Sequence, residues 1–412
     1  MKRTIQNRGG FTLVELMVAV FVGSIVIWGI YTIYEGSSRI FHEEHRISQA
    51  QLSARLAMEV IKNDLKRAGF MATPNVNFDP MVCQNVGGAG LVNVQSIVHV
   101  DGTAGSVYSQ AGAAVNIYRP DINAGIAPDA LTLAGNYITT QSFLAQVIRA
   151  SAGQIQLQSI QRLTLPGEDP TIPPPLPTDN DFARMFPLNS YIRVVNPYGF
   201  MMFSRVQSVG SSATRTLTVN PPLPDASSVS VMCGVHGYGE GSEVNVVNMV
   251  LYRIEVDPND ATGKKTDLVR WQVDANGATV AGTREIIAEY AVDFQVWFRV
   301  DDIGTALMPQ QPSIQQTVDV PQDNVVVLVA GGGPQPPLDG TVAAHPEDMR
   351  VAIVRLSIRT AEEDPTFPFI ARAAGEPLVR YDLEAGAVGA AHVRTIVAQV
   401  ELPNIAFRNL RN

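Results

Sequence analysis

A single carboxylate lies near the start of the longest apolar run in this chain. Residues 11–34 contain one charged side chain, that of Glu15. An ionised group at the centre of a membrane helix costs about 2.5–3.5 kcal/mol, so a carboxylate in such a segment is usually kept for a partner. The chemistry that this position allows is a charge-assisted pair between the Glu15 carboxylate and an amine.

The apolar run has the length of a membrane span. Residues 11–34 would form a helix of about 36 Å, which exceeds the hydrocarbon thickness of about 30 Å. The apolar region of a cleaved secretory signal is shorter, about 7–15 residues. Lys2, Arg3 and Arg8 precede the run and Glu35 follows it, so the leader should face the cytoplasm and the remaining chain should be exported. An ordinary single-pass anchor is the alternative interpretation.

The residues around the start of this run carry a family resemblance. A short basic leader of residues 1–10, then Gly10, Phe11 and Glu15 in the string GGFTLVEL, resemble the class III signal of type IV prepilins. The resemblance implies cleavage by prepilin peptidase between Gly10 and Phe11 and methylation of the new Phe11 amine. It also implies that Glu15 pairs with the Phe11 amine of a neighbouring subunit and sets the register of assembly. Snorkelling of Glu15 to the lipid headgroups is the alternative.

The pattern beyond the span predicts that the helix continues. Apolar residues recur every seven positions, at Ile40, Ile47, Ala54 and Ile61. Gly69 can cap the helix near residue 68, and Pro74 prevents its continuation. Residues 36–38, Gly-Ser-Ser, are a site where the helix could bend. We therefore predict one helix with a transmembrane half, residues 11–34, and an amphipathic periplasmic half, residues 35–69.

From residue 70 onward the pattern changes to short β-type runs between turn residues. The composition agrees, because 33 Gly and 27 Pro accompany only 17% charged residues. The predicted strands are residues 91–100, 115–119, 130–133, 154–160, 191–195 and 216–219. Two Pro-rich stretches, 165–177 and 331–337, are predicted to be surface loops.

The second half of the chain contains the clearest strand signals. Residues 246–256 should pair with 268–273 across the loop 257–267, whose acidic spacing does not fit a calcium-binding hand. Residues 285–299 begin ambiguously between helix and strand and then alternate as a strand. Residues 349–359 alternate throughout, with Ala352, Val354, Leu356 and Ile358 on the core face. The predicted fold class is α+β, a long N-terminal helix carrying a large, mostly antiparallel β-sheet head like that of a pilin, formed by residues 70–412.

Further strings extend the resemblance beyond the leader. VIKNDLKRAGF, YRIE with LVRW, IIAEYAVDFQVWF, RLSIRT and the closing FRNLRN look like landmarks of PilW-type minor pilins, which are related to the J-type pseudopilins of type II secretion. Residues 86–240 match no such landmark. They are interpreted as an insertion or a second β lobe within the head.

The two cysteines, Cys83 and Cys233, both fall in the part predicted to be exported. An oxidising periplasm permits a disulfide between them. Two unpaired buried thiols are the alternative. The sequence contains no CxxC motif, so it suggests neither a redox site nor a cysteine-based zinc site.

No motif in the exported part predicts catalysis, a cofactor or a metal site. The six histidines are scattered, and the pair His42 and His45 in HEEH has a spacing of three rather than the four of a zinc-binding HExxH helix. The glycine clusters after residues 330 and 233 lack the spacing of phosphate loops, and no GxSxG is present. A formal net charge of −9 makes nucleic acid an unattractive partner. We expect a protein that is not an enzyme.

The resemblance implies a minor pilin of a type IV pilus that joins a priming or tip complex and supports adhesion or twitching motility. Its expected partners are other minor pilins and the major pilin through the N-terminal helix, prepilin peptidase, the inner-membrane assembly platform and a tip adhesin of the PilY type. Its expected location is the inner membrane, crossed once with a periplasmic head, and then the tip or base of the pilus at the cell surface. A J-type pseudopilin of a type II secretion tip complex is the alternative.

Overall fold

A computed structural model describes most of the long helix and much of the head. The described residues are 12–76, 79–83, 94–102, 106–116, 126–138, 142–158, 178–224, 237–300, 346, 349–370, 377–383 and 389–406. Gly10, Phe11, Cys233, both Pro-rich stretches and the closing FRNLRN lie outside them.

The N-terminal helix α1, Leu13–Arg67, is 55 residues long, or about 82 Å. It continues without a break through residues 36–38. Its last turn carries Lys66 and Arg67, Ala68 is the cap residue, and Gly69 follows with φ +76°. That left-handed backbone conformation suits glycine, which confirms the predicted helix end.

The head consists mainly of antiparallel β-strands. Within the described part of the chain these are β1 Ile97–Val100, β2 Ser106–Tyr108, β3 Ala114–Asn116, β4 Ala130–Gly135, β5 Phe143–Arg149, β6 Gln154–Leu157, β7 Tyr191–Val195, β8 Met201–Val209, β9 Thr216–Asn220, β10 Glu243–Val256, β11 Thr266–Val273, β12 Glu285–Glu289, β13 Ala291–Val300, β14 Met349–Arg359, β15 Arg380–Tyr381 and β16 Ala391–Glu401. Two short helices, α2 Asp179–Met185 and α3 Pro403–Ala406, accompany them. The predicted α+β class is confirmed.

Two sheets pack around the C-terminal half of α1. The first contains β1, β4, β10, β11 and β12, with β2 and β3 at its side, and the second has the order β13-β14-β16-β15. One apolar core contains the buried face of α1 together with side chains from both sheets. The helix is therefore built into the head rather than attached to its outside.

Strand β10 is long enough to belong both to the first sheet and to a second group of strands. Its second half pairs with β4 and β11, whereas residues Glu243 and Val244 pair with β5 on one side and β7 on the other. The chain of neighbours β10-β5-β6-β9-β8-β7 returns to β10, and all its pairings are antiparallel. These six strands form a closed β-barrel with its own apolar core, to which α2 contributes Phe182 and Met185.

The predicted hairpin is confirmed, because β10 pairs with β11 from Met249↔Val273 to Val256↔Thr266. The ambiguous stretch 285–299 is strand throughout, but it is divided. Tyr290, with φ +57°, separates β12, which pairs with β11, from β13, which pairs with β14. On β14 the predicted core residues are buried in the core around α1: Ala352, Val354, Leu356 and Ile358.

Candidate functional site

The Glu15 carboxylate lies in the first turn of α1 and closes a capping box. Its Oε2 accepts hydrogen bonds from the Thr12 backbone N–H and from Thr12 Oγ1, each at 3.0 Å, and the Glu15 N–H donates to Thr12 Oγ1 at 3.3 Å. These bonds satisfy backbone donors at the helix start and keep a carboxylate where the helix dipole favours negative charge. Both residues are exposed in the single chain.

The first half of α1 presents an apolar surface that the head leaves uncovered. Among the described residues, α1 is the one helix long and apolar enough to cross a membrane, and none of its most apolar window is buried. Trp28 and Tyr34, for example, are 70% and 71% exposed. Because an apolar face of this size is unfavourable in water, the segment needs lipid or other helices around it.

The second half of α1 is held by small and branched apolar residues. Ala54, Ala57, Ile61 and Leu65 have no exposed surface and belong to the core shared with both sheets. Alanine at two of these positions lets the helix backbone approach the strands closely. The predicted heptad is thus buried toward the C-terminus of α1, at Ala54 and Ile61. Ile40 is exposed and Ile47 is partly exposed.

A buried polar network fixes the same half of the helix. Asp64 Oδ2 accepts hydrogen bonds from Tyr252 Oη at 2.6 Å and Arg270 Nε at 2.7 Å, and the Asp64 carbonyl accepts one from Tyr137 Oη at 3.3 Å. Burial, and then the nearby Asp64 charge, raise the pKa of Tyr252 well above its usual value. Tyr252 therefore stays a neutral donor at physiological pH, which the contact with a carboxylate requires.

Closer to the N-terminus than Asp64, α1 makes an ionic contact with the loop after β14. Arg46 Nη2 lies 2.6 Å from Glu362 Oε2, and Arg46 Nη1 lies 3.4 Å from Glu43 Oε1. Glu43 also forms a group with Asp364 and His392 whose ligand-type atoms all lie within 4.8 Å of one another.

A second group of this kind lies inside the head. His99, Asp101 and Asp129 come equally close together, and His99 Nε2 is 3.0 Å from Asp129 Oδ2. The sequence interpretation found neither group, because their members are 28 or more positions apart except for the neighbours His99 and Asp101. The exposed pair His42 and His45, which the sequence did single out, belongs to neither.

Of the other predicted site residues, the structure describes Cys83 but not Gly10, Phe11 or Cys233. Gly10 and Phe11 lie outside it, so the predicted cleavage and methylation positions stay predictions. Cys83 is buried and disulfide-bonded, and its Sγ lies 3.0 Å from Tyr238 Oη. Its predicted partner Cys233 lies outside the described residues.

Comparison with known proteins identifies the start of the chain. A family model described as the prokaryotic N-terminal methylation motif matches residues 5–31. This prepilin-like signal supports a protein of the type IV pilin and pseudopilin class. Neither the comparison with curated proteins nor that with solved structures finds a match for the chain.

Proposed function

We propose that this chain is a minor pilin of a type IV pilus, processed by prepilin peptidase and incorporated in a priming or tip complex. Within that complex its role is structural rather than catalytic. The observation that carries the proposal is the methylation motif at residues 5–31 on a helix whose first half is apolar and exposed. Such a helix can be held in the inner membrane and then transferred into a bundle of similar helices.

The size of the head supports a minor rather than a major subunit. Residues 70–412 carry two sheets around α1 and, in addition, a six-stranded barrel. Subunits of a regular filament repeat closely along its axis, so each added lobe makes dense packing harder. A tip or priming position leaves such a head with free space, and the barrel is then available to contact a surface or a tip adhesin of the PilY type.

Mass spectrometry of the native N-terminus tests the assignment to this class. We expect the mature protein to begin with N-methylated Phe11, and a Gly10→Val variant to retain the leader and migrate as the longer precursor. A mature protein that begins at Met1, or beyond residue 34, would contradict the proposal. In a peptidase-deficient strain the unaltered chain should likewise keep its leader and migrate as the longer precursor, which completes the control.

A deletion strain tests the minor pilin role against the J-type pseudopilin role. Loss of pili and of twitching motility, with protein secretion intact, is expected for the minor pilin. Loss of secretion with normal pili would favour the pseudopilin. Quantitative proteomics of sheared pili should find the chain far below the major subunit, and finding it as the bulk subunit would exclude the minor role.

A further inference from the structure

Three separate elements bring metal-ligand side chains together where α1 meets the head. Glu43 lies on α1, Asp364 in the loop after β14, and His392 on β16. Asp364 Oδ2 and His392 Nε2 are 3.2 Å apart. In a tetrahedral site with bonds of about 2.1 Å, neighbouring ligand atoms are separated by about 3.4 Å, so this pair already has the required spacing.

The loop holds Asp364 in an orientation that suits a ligand. Its Oδ1 accepts hydrogen bonds from the Thr366 N–H at 2.8 Å and from Thr366 Oγ1 at 2.7 Å, which directs Oδ2 toward His392.

The imidazole of His392 is positioned by its neighbours as well. The Phe367 ring stacks on it with a centroid distance of 4.0 Å and an interplanar angle of 17°, and the His392 backbone N–H donates to Thr360 Oγ1 at 3.1 Å. Metal-binding side chains that are fixed in this way lose little freedom on binding.

Glu43 supplies an oxygen that lacks a protein donor. Its Oε2 is buried and has no hydrogen-bond partner among the described residues, whereas Oε1 is near Arg46. A buried carboxylate oxygen without a donor is unfavourable, and a cation beside it removes the penalty.

We propose that Glu43, Asp364 and His392 bind a divalent transition-metal ion, with Zn²⁺ as the best chemical match, and that the ion fastens α1 to the head. One imidazole nitrogen and two carboxylate oxygens suit Zn²⁺, whereas Ca²⁺ and Mg²⁺ prefer sites made of oxygen alone. Water can complete a fourth position.

The group around His99 does not support the same proposal. Asp129 Oδ1 accepts a hydrogen bond from the Gly102 N–H, and its Oδ2 accepts one from the Val296 N–H at 2.7 Å as well as contacting His99. That carboxylate already has the donors it needs and joins β4 to β13 as part of the fold.

Calorimetric titration of the full-length protein in detergent tests the site. The protein carries a tag without histidines and is first treated with a chelator, and then Zn²⁺, Ca²⁺ and Mg²⁺ are titrated separately. We expect one Zn²⁺ per chain, and a rise in the melting temperature of the head with Zn²⁺, because the ion binds the folded arrangement of three elements. Ca²⁺ and Mg²⁺ should give neither response.

Matched variants locate the ion. Glu43→Gln and His392→Gln should weaken Zn²⁺ binding by at least about tenfold and abolish the rise in melting temperature. Glu44→Gln, at the exposed neighbouring position, and the double variant His42→Ala/His45→Ala should retain both. Circular dichroism of each chelated variant checks that the fold is intact.

Two results would overturn the proposal. One is the absence of stoichiometric Zn²⁺ binding by the unaltered protein. The other is binding that survives in folded Glu43→Gln and His392→Gln but is lost in His42→Ala/His45→Ala, which would assign the ion to the exposed helix histidines.

Discussion

At the scale of single residues, the Glu15 carboxylate can act as a helix cap and as the partner of an amine. The cap is present within one chain, through the bonds to Thr12. Pairing with the Phe11 amine of another subunit, as the resemblance implies, needs the negative charge in addition to the hydrogen-bonding oxygen. Glutamine preserves a capping box but carries no charge, so the two roles can be separated.

We therefore expect Glu15→Gln and Glu15→Ala both to be inserted and cleaved but to enter pili poorly. The physical reason is that either variant leaves a buried amine without its counter-charge. The measurement is an immunoblot of sheared pili against the membrane fraction, with Thr12→Ala as the control that weakens the cap alone. Wild-type incorporation of Glu15→Gln would show that the charge is not needed.

Asp64 is the residue whose loss should most weaken the attachment of α1 to the head. Its side chain is 12% exposed and that of its partner Arg270 is 18% exposed. Removing one member of such a pair leaves the other buried and uncompensated, so Asp64→Ala should lower the free energy of unfolding by about 3 kcal/mol.

Urea unfolding in detergent, followed by tryptophan fluorescence, measures this change. Asn63→Ala, at the adjacent exposed position, serves as the control and should change the stability by less than about 0.5 kcal/mol. The double variant Asp64→Ala/Arg270→Ala should be less destabilised than the sum of the single variants. Additive effects would mean that the two groups do not stabilise each other.

At the scale of elements, α1 depends on small residues where it lies among the strands. Ala57 is fully buried, whereas the preceding residue, Leu56, is 61% exposed. A leucine at position 57 would overfill a packed core, so Ala57→Leu should cost about 1–3 kcal/mol. Leu56→Ala should leave the stability of the isolated protein within about 0.5 kcal/mol. Urea unfolding, as for Asp64, measures both changes. Equal losses of stability in Ala57→Leu and Leu56→Ala would contradict this packing.

The local elements could be predicted from the sequence because their signals are local. The heptad of α1, the glycine after its end, and the alternation in β14 each express which face of one segment is buried. The division of residues 285–299 at Tyr290 had no such signal, because both parts are strands and only their partners, β11 and β14, differ. Pairing of that kind depends on distant parts of the chain.

The candidate sites also differ in whether the sequence could predict them. The Glu15 motif lies within a few consecutive residues and was found from the sequence. Glu43 and His392 are separated by most of the head, and only the packing of α1 against β16 and the loop after β14 brings them together. A histidine or a carboxylate alone on a surface strand or helix carries no information about such a neighbour.

At the scale of the whole molecule, the barrel is inserted in what would otherwise be a simple hairpin. Strands β4 and β10 are antiparallel neighbours, with Gly135 opposite Asn248, yet β5 to β9 lie between them in the sequence. Continuing that register brings residue 138 opposite residue 245. A two-residue Asn-Gly turn could join them directly, since it is a favoured hairpin connection. The core around α1 would keep its own residues, because the barrel has a separate core.

This arrangement predicts that the barrel can be removed without loss of assembly. In the variant, residues 139–244 are replaced by Asn-Gly and Cys83 by serine, because Cys233 is removed with the barrel. The deletion also removes Tyr191, Met201 and Phe203 from a third apolar cluster, which they share with Val247 and Met249 of β10 and Val273 of β11. The Cys83 N–H loses its hydrogen bond to the Met201 carbonyl as well. Stability is therefore lost where the barrel meets the first sheet, while the residues of the core around α1 stay in place. We expect the variant to be inserted, cleaved after Gly10 and recovered in sheared pili, but to lose adhesion to surfaces.

Two control variants show whether an effect comes from loss of the barrel, from the cysteine change or from loss of the core around α1. Cys83→Ser alone should assemble, and deletion of residues 349–401, which removes β14, β15 and β16 from around α1, should not. If the barrel-less chain is absent from pili while Cys83→Ser is present, the barrel takes part in assembly. If it is present and still adheres, surface contact must be made elsewhere on the head. Recovery in pili together with lost adhesion would assign the helix and its two sheets to assembly and the barrel to contact beyond the filament.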